Sequence, residues 1–222
     1  MGFAELFLTG SWYIWWERRR FVHEGTVQNP TRSALSIASL AINYLRVTKK
    51  SAKVQSGWKK PPEDFVLLNV DASFNHTRSS GSTGAVLRDS AGSFVAAAVN
   101  CFEHVLDAPM AEAMALREGM ALAQMIGCSK LVIHSDCQEV VETMQQGGLS
   151  ATASAPIFSD CIHRMEDFVS CSFDHCNRDI NRVAHELARV AMESNLNCNW
   201  VDEPPRFILE HLVNDVILFG DQ

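Results

Sequence analysis

The apolar positions of this chain change period along its length, and the clearest run lies near its middle. From Phe65 to Phe74, Val66, Leu68, Val70, Ala72 and Phe74 fall on one face, and Leu67, Asn69, Asp71 and Ser73 on the other. Period two predicts a β-strand. It carries one carboxylate, Asp71, on its more polar face near its end. An unpaired buried carboxylate costs on the order of several kcal/mol. Asp71 therefore either opens a polar turn or meets a cation or hydrogen-bond donors.

After a small-residue turn from Ser79 to Gly84, Ala85 to Arg88 reads as a second strand. Asp89-Ser90-Ala91-Gly92 is a hairpin turn, and Ser93 to Phe102 the third strand. Short turns between consecutive strands predict an antiparallel meander. The period then becomes helical from Asp107-Ala108-Pro109 to about Ile126, with Pro in the first turn and Gly127 at the stop. Glu112 shares a stripe with Ala115, Leu116, Gly119, Ala123 and Ile126. An acid near a helix N-terminus is favourably placed, which accounts for its position along the helix but not for its face.

Leu131 to His134 is a short apolar strand ending in Ser135-Asp136, followed by a helix from Cys137 to Gln146. Asp136 with Glu139 fits a variant capping box. It equally fits the C-terminal end of a parallel strand, where sites of such sheets lie. A helix over Ala155 to Phe168, a fifth strand over Val169 to Cys176 and a last helix over Asn181 to Ser194 complete the pattern. The result is an α/β mixed five-stranded sheet flanked by helices.

Charge divides the chain. Residues 1–60 hold ten Lys and Arg against three Asp and Glu, net +7, while the remainder holds nine against 23, net −14. The organisation expected is a basic, Trp-rich helical extension and linker over 1–60, the main domain over 61–196 and a tail over 197–222. Residues 1–24 predict a short helix with an aromatic face, able to dock on the main domain or on a protein partner. A second helix is expected over Ser33 to Val47, and Lys49 to Lys60 reads as a solvated tether. The aromatic run is too short and interrupted to span a membrane, and no basic segment precedes it as in a secretory signal. Seven cysteines without a Cys-x-x-Cys pair point to a reducing compartment, hence an intracellular protein, nuclear or cytoplasmic. The Cys171, His175 and Cys176 cluster lacks the second pair a zinc site needs.

Asp71, Glu112 and Asp136 are the candidate site, provided that they converge at one end of the sheet. Three carboxylates supply hard oxygen ligands for Mg²⁺ or Mn²⁺. Two such ions about 4 Å apart can activate a water and stabilise the leaving oxygen in phosphodiester cleavage.

In order and spacing, several segments resemble the ribonuclease H family, and specifically the reverse-transcriptase-derived type 1 domains of plant retroelement-like proteins. They are Asn69-Val70-Asp71, Gly84 to Asp89 with Gly92, Ala111-Glu112-Ala113, Ser135-Asp136, and Arg178 to Ala188. The resemblance covers about residues 64–195 and implies a ribonuclease H-like fold. It also implies an endonuclease cutting the RNA strand of RNA–DNA hybrids, with Asp71, Glu112 and Asp136 as metal ligands and Mg²⁺ or Mn²⁺ as cofactor. The family's fourth acid falls at His185, a departure that implies reduced activity. Neutral imidazole there can ligate a metal, but suits Mn²⁺ better than Mg²⁺. The family's auxiliary His corresponds either to His175 or to no residue, His175 then being a strand-end core histidine. A different class of reading is a retroelement-derived module that binds nucleic acid or a protein without cutting.

Overall fold

The computed structural model describes residues 3–25, 29–30, 33–34, 37 and 58–219. The chain forms two compact units, residues 1–56 and 57–222. In the first, α1 (Phe3–Glu24) carries exposed Ile14, Trp15 and Phe21, while Tyr13 is buried. The helix expected over 33–47 lies largely outside the described residues. Among those described, no helix is long and apolar enough to cross a membrane.

The second unit is built on one mixed sheet. Its strands are β1 (Val66–Asn75), β2 (Ser80–Arg88), β3 (Phe94–Glu103), β4 (Lys130–Ser135), β5 (Ser170–His175) and β6 (Cys198–Val201), in the order β5-β4-β1-β2-β3-β6. β1, β4 and β5 are parallel, and β1, β2, β3 and β6 pair antiparallel. Helices α2 (Ala108–Met125), α3 (Gln138–Gln145), α4 (Ala155–Met165), α5 (Arg182–Ser194) and α6 (Leu209–Phe219) complete it, α5 being preceded by a 3₁₀ turn at Arg178–Ile180.

The two faces of the sheet meet different partners. Leu68 and Val70 join Met114, Leu116 and Met120 of α2 in the larger core, and Val86, Ala97 and Val99 join Val183, Leu187 and Ala191 of α5 on the opposite face. Asp107 caps α2, accepting from Met110 N at 2.8 Å. Gly92, at φ +87°, closes the β2–β3 hairpin with its N–H on Asp89 O at 2.9 Å.

Three expectations are corrected. The sheet has six strands rather than five, because Cys198 to Val201 pairs along β3. The stretch Ser80 to Gly84 is strand rather than turn, paired opposite Asn75 to Asp71. Its glycines serve close approach: a Cβ on Gly84 would strike the backbone of α5 at Ala184 O and, at 2.5 Å, Ala188 N. Lastly, Trp58 is not part of a solvated tether; it is 1% exposed and packs with Leu67 and Val132.

Candidate active site

Asp71 lies in the second half of β1, Asp136 directly follows β4, and His175 ends β5. These are the C-terminal ends of the three parallel strands, where α/β sheets place their ligands. Glu112 reaches the same end from the first turns of α2. Gly84, directly across from Asp71, lets α5 lie close on β2. That approach brings His185, in the first turn of α5, to Asp71: its Nδ1 donates to Asp71 Oδ2 at 2.7 Å. Asp71 is thereby buried, with His185 still accessible at 39% of its side chain.

The three acids share one electrostatic neighbourhood. Burial, then the charge of Asp136, pushes the Asp71 carboxyl up to about 6, against the pull of the His185 bond. Burial, then the charges of Asp71 and Asp136, pushes Glu112 up to about 9. The nearby Ala72 backbone N–H pulls both carboxyls the other way. Like charges crowded in a poorly solvated site favour protonation. Glu112 Oε2 is buried without a hydrogen-bond partner. An orphaned carboxylate oxygen beside two other acids fits a hard divalent cation in donor chemistry. The side chains as they lie are paired within the protein instead: Asp71 Oδ2 with His185, and Asp136 Oδ1 with Asn181 Nδ2 at 3.0 Å. Among the described residues no group of three or more His, Cys, Asp or Glu is gathered to hold an ion.

Asp136 does not cap the following helix, whose N-cap is Cys137 without a side-chain bond. His175 is exposed rather than a core histidine, and its Nε2 lies 3.2 Å from the backbone oxygen of Asp136. Sequence reasoning missed Asn181, which holds Asp136 and also donates to Val70 O at 2.9 Å. A polar residue at the entry to an amphipathic helix was the available signal, and it reads equally as an N-cap.

A stability consequence follows from the raised carboxyls. Both bind a proton more tightly folded than unfolded. Their contribution therefore favours the folded state at acid pH and is lost as pH rises through about 6 for Asp71 and about 9 for Glu112. In chelator, Glu112→Gln is expected to flatten this fall and to exceed the wild type at pH 8 by on the order of 2 kcal/mol. Urea unfolding at pH 5 and pH 8 measures it; equal pH slopes for the two proteins would remove Glu112 from the acid cluster.

A sequence model described as reverse transcriptase-like matches residues 69–191. No match is found among curated proteins. Among solved structures, ribonuclease H1 of the archaeon Halobacterium salinarum superposes with a TM-score of 0.55 at 20% identity, over 59% of this chain and 98% of that one. The N-terminal RNase H domain of a Mycobacterium tuberculosis protein gives 0.54 at 19%, over 59% and 94%. LC11-RNase H1, isolated from compost by a metagenomic approach and solved in complex with an RNA/DNA hybrid, gives 0.54 at 20%, over 60% and 99%. At these identities the likeness is one of fold: the mixed sheet flanked by helices is the ribonuclease H fold.

Proposed function

The chain belongs to the reverse transcriptase-like family, and from that premise we propose that it is a metal-dependent endonuclease cutting the RNA strand of RNA–DNA hybrids. The observation that carries the reading is the placement of Asp71, Glu112 and Asp136 at one end of the sheet, where the charge of Asp136 bears on Asp71 and the charges of both bear on Glu112. Asp71, Glu112 and Asp136 would hold Mg²⁺ or Mn²⁺, with His185 at the fourth position. Bound divalent ions supply an activated water and charge neutralisation at the leaving oxygen.

The chain's own groups have separate tasks. His185 Nδ1–H fixes Asp71 through Oδ2, which directs Oδ1 elsewhere in the site. That tautomer puts the lone pair of the neutral ring on Nε2, the atom left to ligate or to accept a proton. Asn181 fixes Asp136 in the same manner. Glu112, whose carboxyl burial pushes up to about 9, would have to release its proton to hold a cation, so affinity would rise with pH. The acidic balance of residues 61–222 leaves phosphate attraction to bound cations and to the basic residues of 1–60.

The His185–Asp71 bond favours a second reading, a module that binds hybrid without cutting it. Imidazole in place of an acid removes one negative charge from a cation site and offers a softer ligand. Hybrid cleavage is accordingly expected to be weak in Mg²⁺ and stronger in Mn²⁺. His185→Asp should raise the Mg²⁺ rate by about tenfold or more, the scale of one ligand's effect. Rates of RNA-strand cleavage for wild type, His185→Asp and His185→Ala in each ion test this. If all three match in both ions, His185 is outside the chemistry. If none cleaves while hybrid still binds, the second reading stands.

A further inference from the structure

Behind Asp136 runs a buried chain of hydrogen bonds whose direction is set from the far side of the domain. Arg88, at the end of β2, is 1% exposed and lies 4.1 Å from the centroid of the Trp58 ring. Its Nη1 donates to Asp215 Oδ2 of α6 at 2.7 Å, and its Nη2 to Asn69 Oδ1 at 2.8 Å. Asn69 Nδ2 then donates to Asn181 Oδ1 at 3.1 Å, and Asn181 Nδ2 to Asp136 Oδ1 at 3.0 Å. Asn69 is fully buried, Asn181 is 1% exposed and Asp215 3%.

A guanidinium can only donate, whereas an amide has one accepting and one donating end. Arg88 therefore claims the oxygen of Asn69, which turns the Asn69 amino group to Asn181. That group claims the oxygen of Asn181, which turns the second amino group to Asp136 Oδ1 and to Val70 O. Flipping either amide would set oxygen against oxygen, or nitrogen against donor, at both of its ends. A buried ion pair such as Arg88–Asp215 contributes little net stability over an apolar replacement of equal volume. Orientation is what this arrangement supplies.

We propose that Arg88, anchored by Asp215 and Trp58, is the origin of a directional relay through Asn69 and Asn181 that sets the orientation of Asp136. Asn69, Arg88 and Asp215 are thus positioning residues, and the C-terminal helix forms part of the site's support. The inference rests on the site assignment proposed above for Asp136.

Asn69→Asp separates orientation from packing. It is nearly isosteric and strengthens the bond to Arg88, but it offers Asn181 an acceptor. The Asn181 oxygen then faces an acceptor at position 69 while Val70 O and Asp136 Oδ1 still hold its nitrogen, so the contact that links Asn181 to Arg88 is broken. In ¹⁵N-labelled metal-free protein, the Asn181 side-chain amide protons are expected to shift and to exchange about tenfold faster or more, the equivalent of one hydrogen bond. The thermal midpoint should stay near that of the wild type. Mn²⁺ affinity, read by electron paramagnetic resonance, should fall by about 10- to 100-fold, and kcat on hybrid should fall alike with KM changed by less than about threefold. Unchanged Asn181 amide signals with unchanged Mn²⁺ affinity overturn the relay. Should N69D melt below the assay temperature, Asp215→Ala tests it from the other end, and Asn181 protection equal to wild type overturns it there. If the wild-type protein cleaves no hybrid, the proposed activity fails, whereas the amide exchange still decides the relay.

Discussion

Asp71→Asn is expected to lower hybrid cleavage by at least about 1000-fold, about 4 kcal/mol of transition-state stabilisation, while making the metal-free protein more stable. The two effects have opposite signs for one reason. Asp71 is buried against the charge of Asp136, and its carboxyl is already pushed up to about 6. An amide removes that repulsion and can still present oxygen to His185 Nδ1, so the local structure has no cause to rearrange. It also removes a charge and one accepting oxygen from the cation site. Single-turnover cleavage and urea unfolding in chelator measure the pair. A variant that lost both activity and stability would mark Asp71 as a structural acid instead.

Gly84→Ala is expected to carry the largest folding penalty of any single-methyl addition in the sheet. The new carbon would meet the α5 backbone at Ala184 O and Ala188 N, together with Leu187 Cβ at 2.8 Å. Backbone held in a helix cannot yield as a side-chain tip can. Overpacking of this kind costs about 3 kcal/mol, a fall of about 6–12 °C in Tm for a domain of this size. Lifting α5 also draws His185 from Asp71, so activity should fall beyond what unfolding explains. Gly119→Ala provides the contrast on the opposite face. There the new carbon meets Val70 Cγ1 at 2.6 Å and Leu68 Cδ1 at 3.1 Å, groups that can rotate. It should destabilise less and leave the His185–Asp71 bond intact. Differential scanning calorimetry of the two variants settles the order; equal losses would mean that α5 yields freely.

Local pattern was enough for most of the architecture. Alternation over Val66 to Phe74 placed Asp71, Pro109 and Gly127 marked the ends of α2, and the apolar stripe through Leu116 and Ala123 put Glu112 on the inner face. What escaped was whatever depends on a distant partner. Cys198 to Val201 is a four-residue edge strand, too short for its alternation to stand out, and it exists because β3 offers a free edge. Trp58 stands among lysines and glycine, so its neighbours read as solvated; Arg88 and Leu67, which bury it, lie at least nine positions away. Asp215 was invisible for the same reason, since only the folded sheet brings Arg88 to it. The glycines of β2 misread as a turn because glycine has the same letter in both roles. Among site residues, Asp71 and His185 are joined by a bond across 114 positions that no spacing rule predicts.

The central claim is that this acid cluster cuts RNA paired to DNA. The most direct test incubates the wild-type chain with a hybrid end-labelled separately on each strand, in Mg²⁺, in Mn²⁺ and in chelator. The account predicts cleavage confined to the RNA strand, faster in Mn²⁺ than in Mg²⁺ and absent in chelator. An intact RNA strand in both ions, with the protein folded and the hybrid bound, would contradict it.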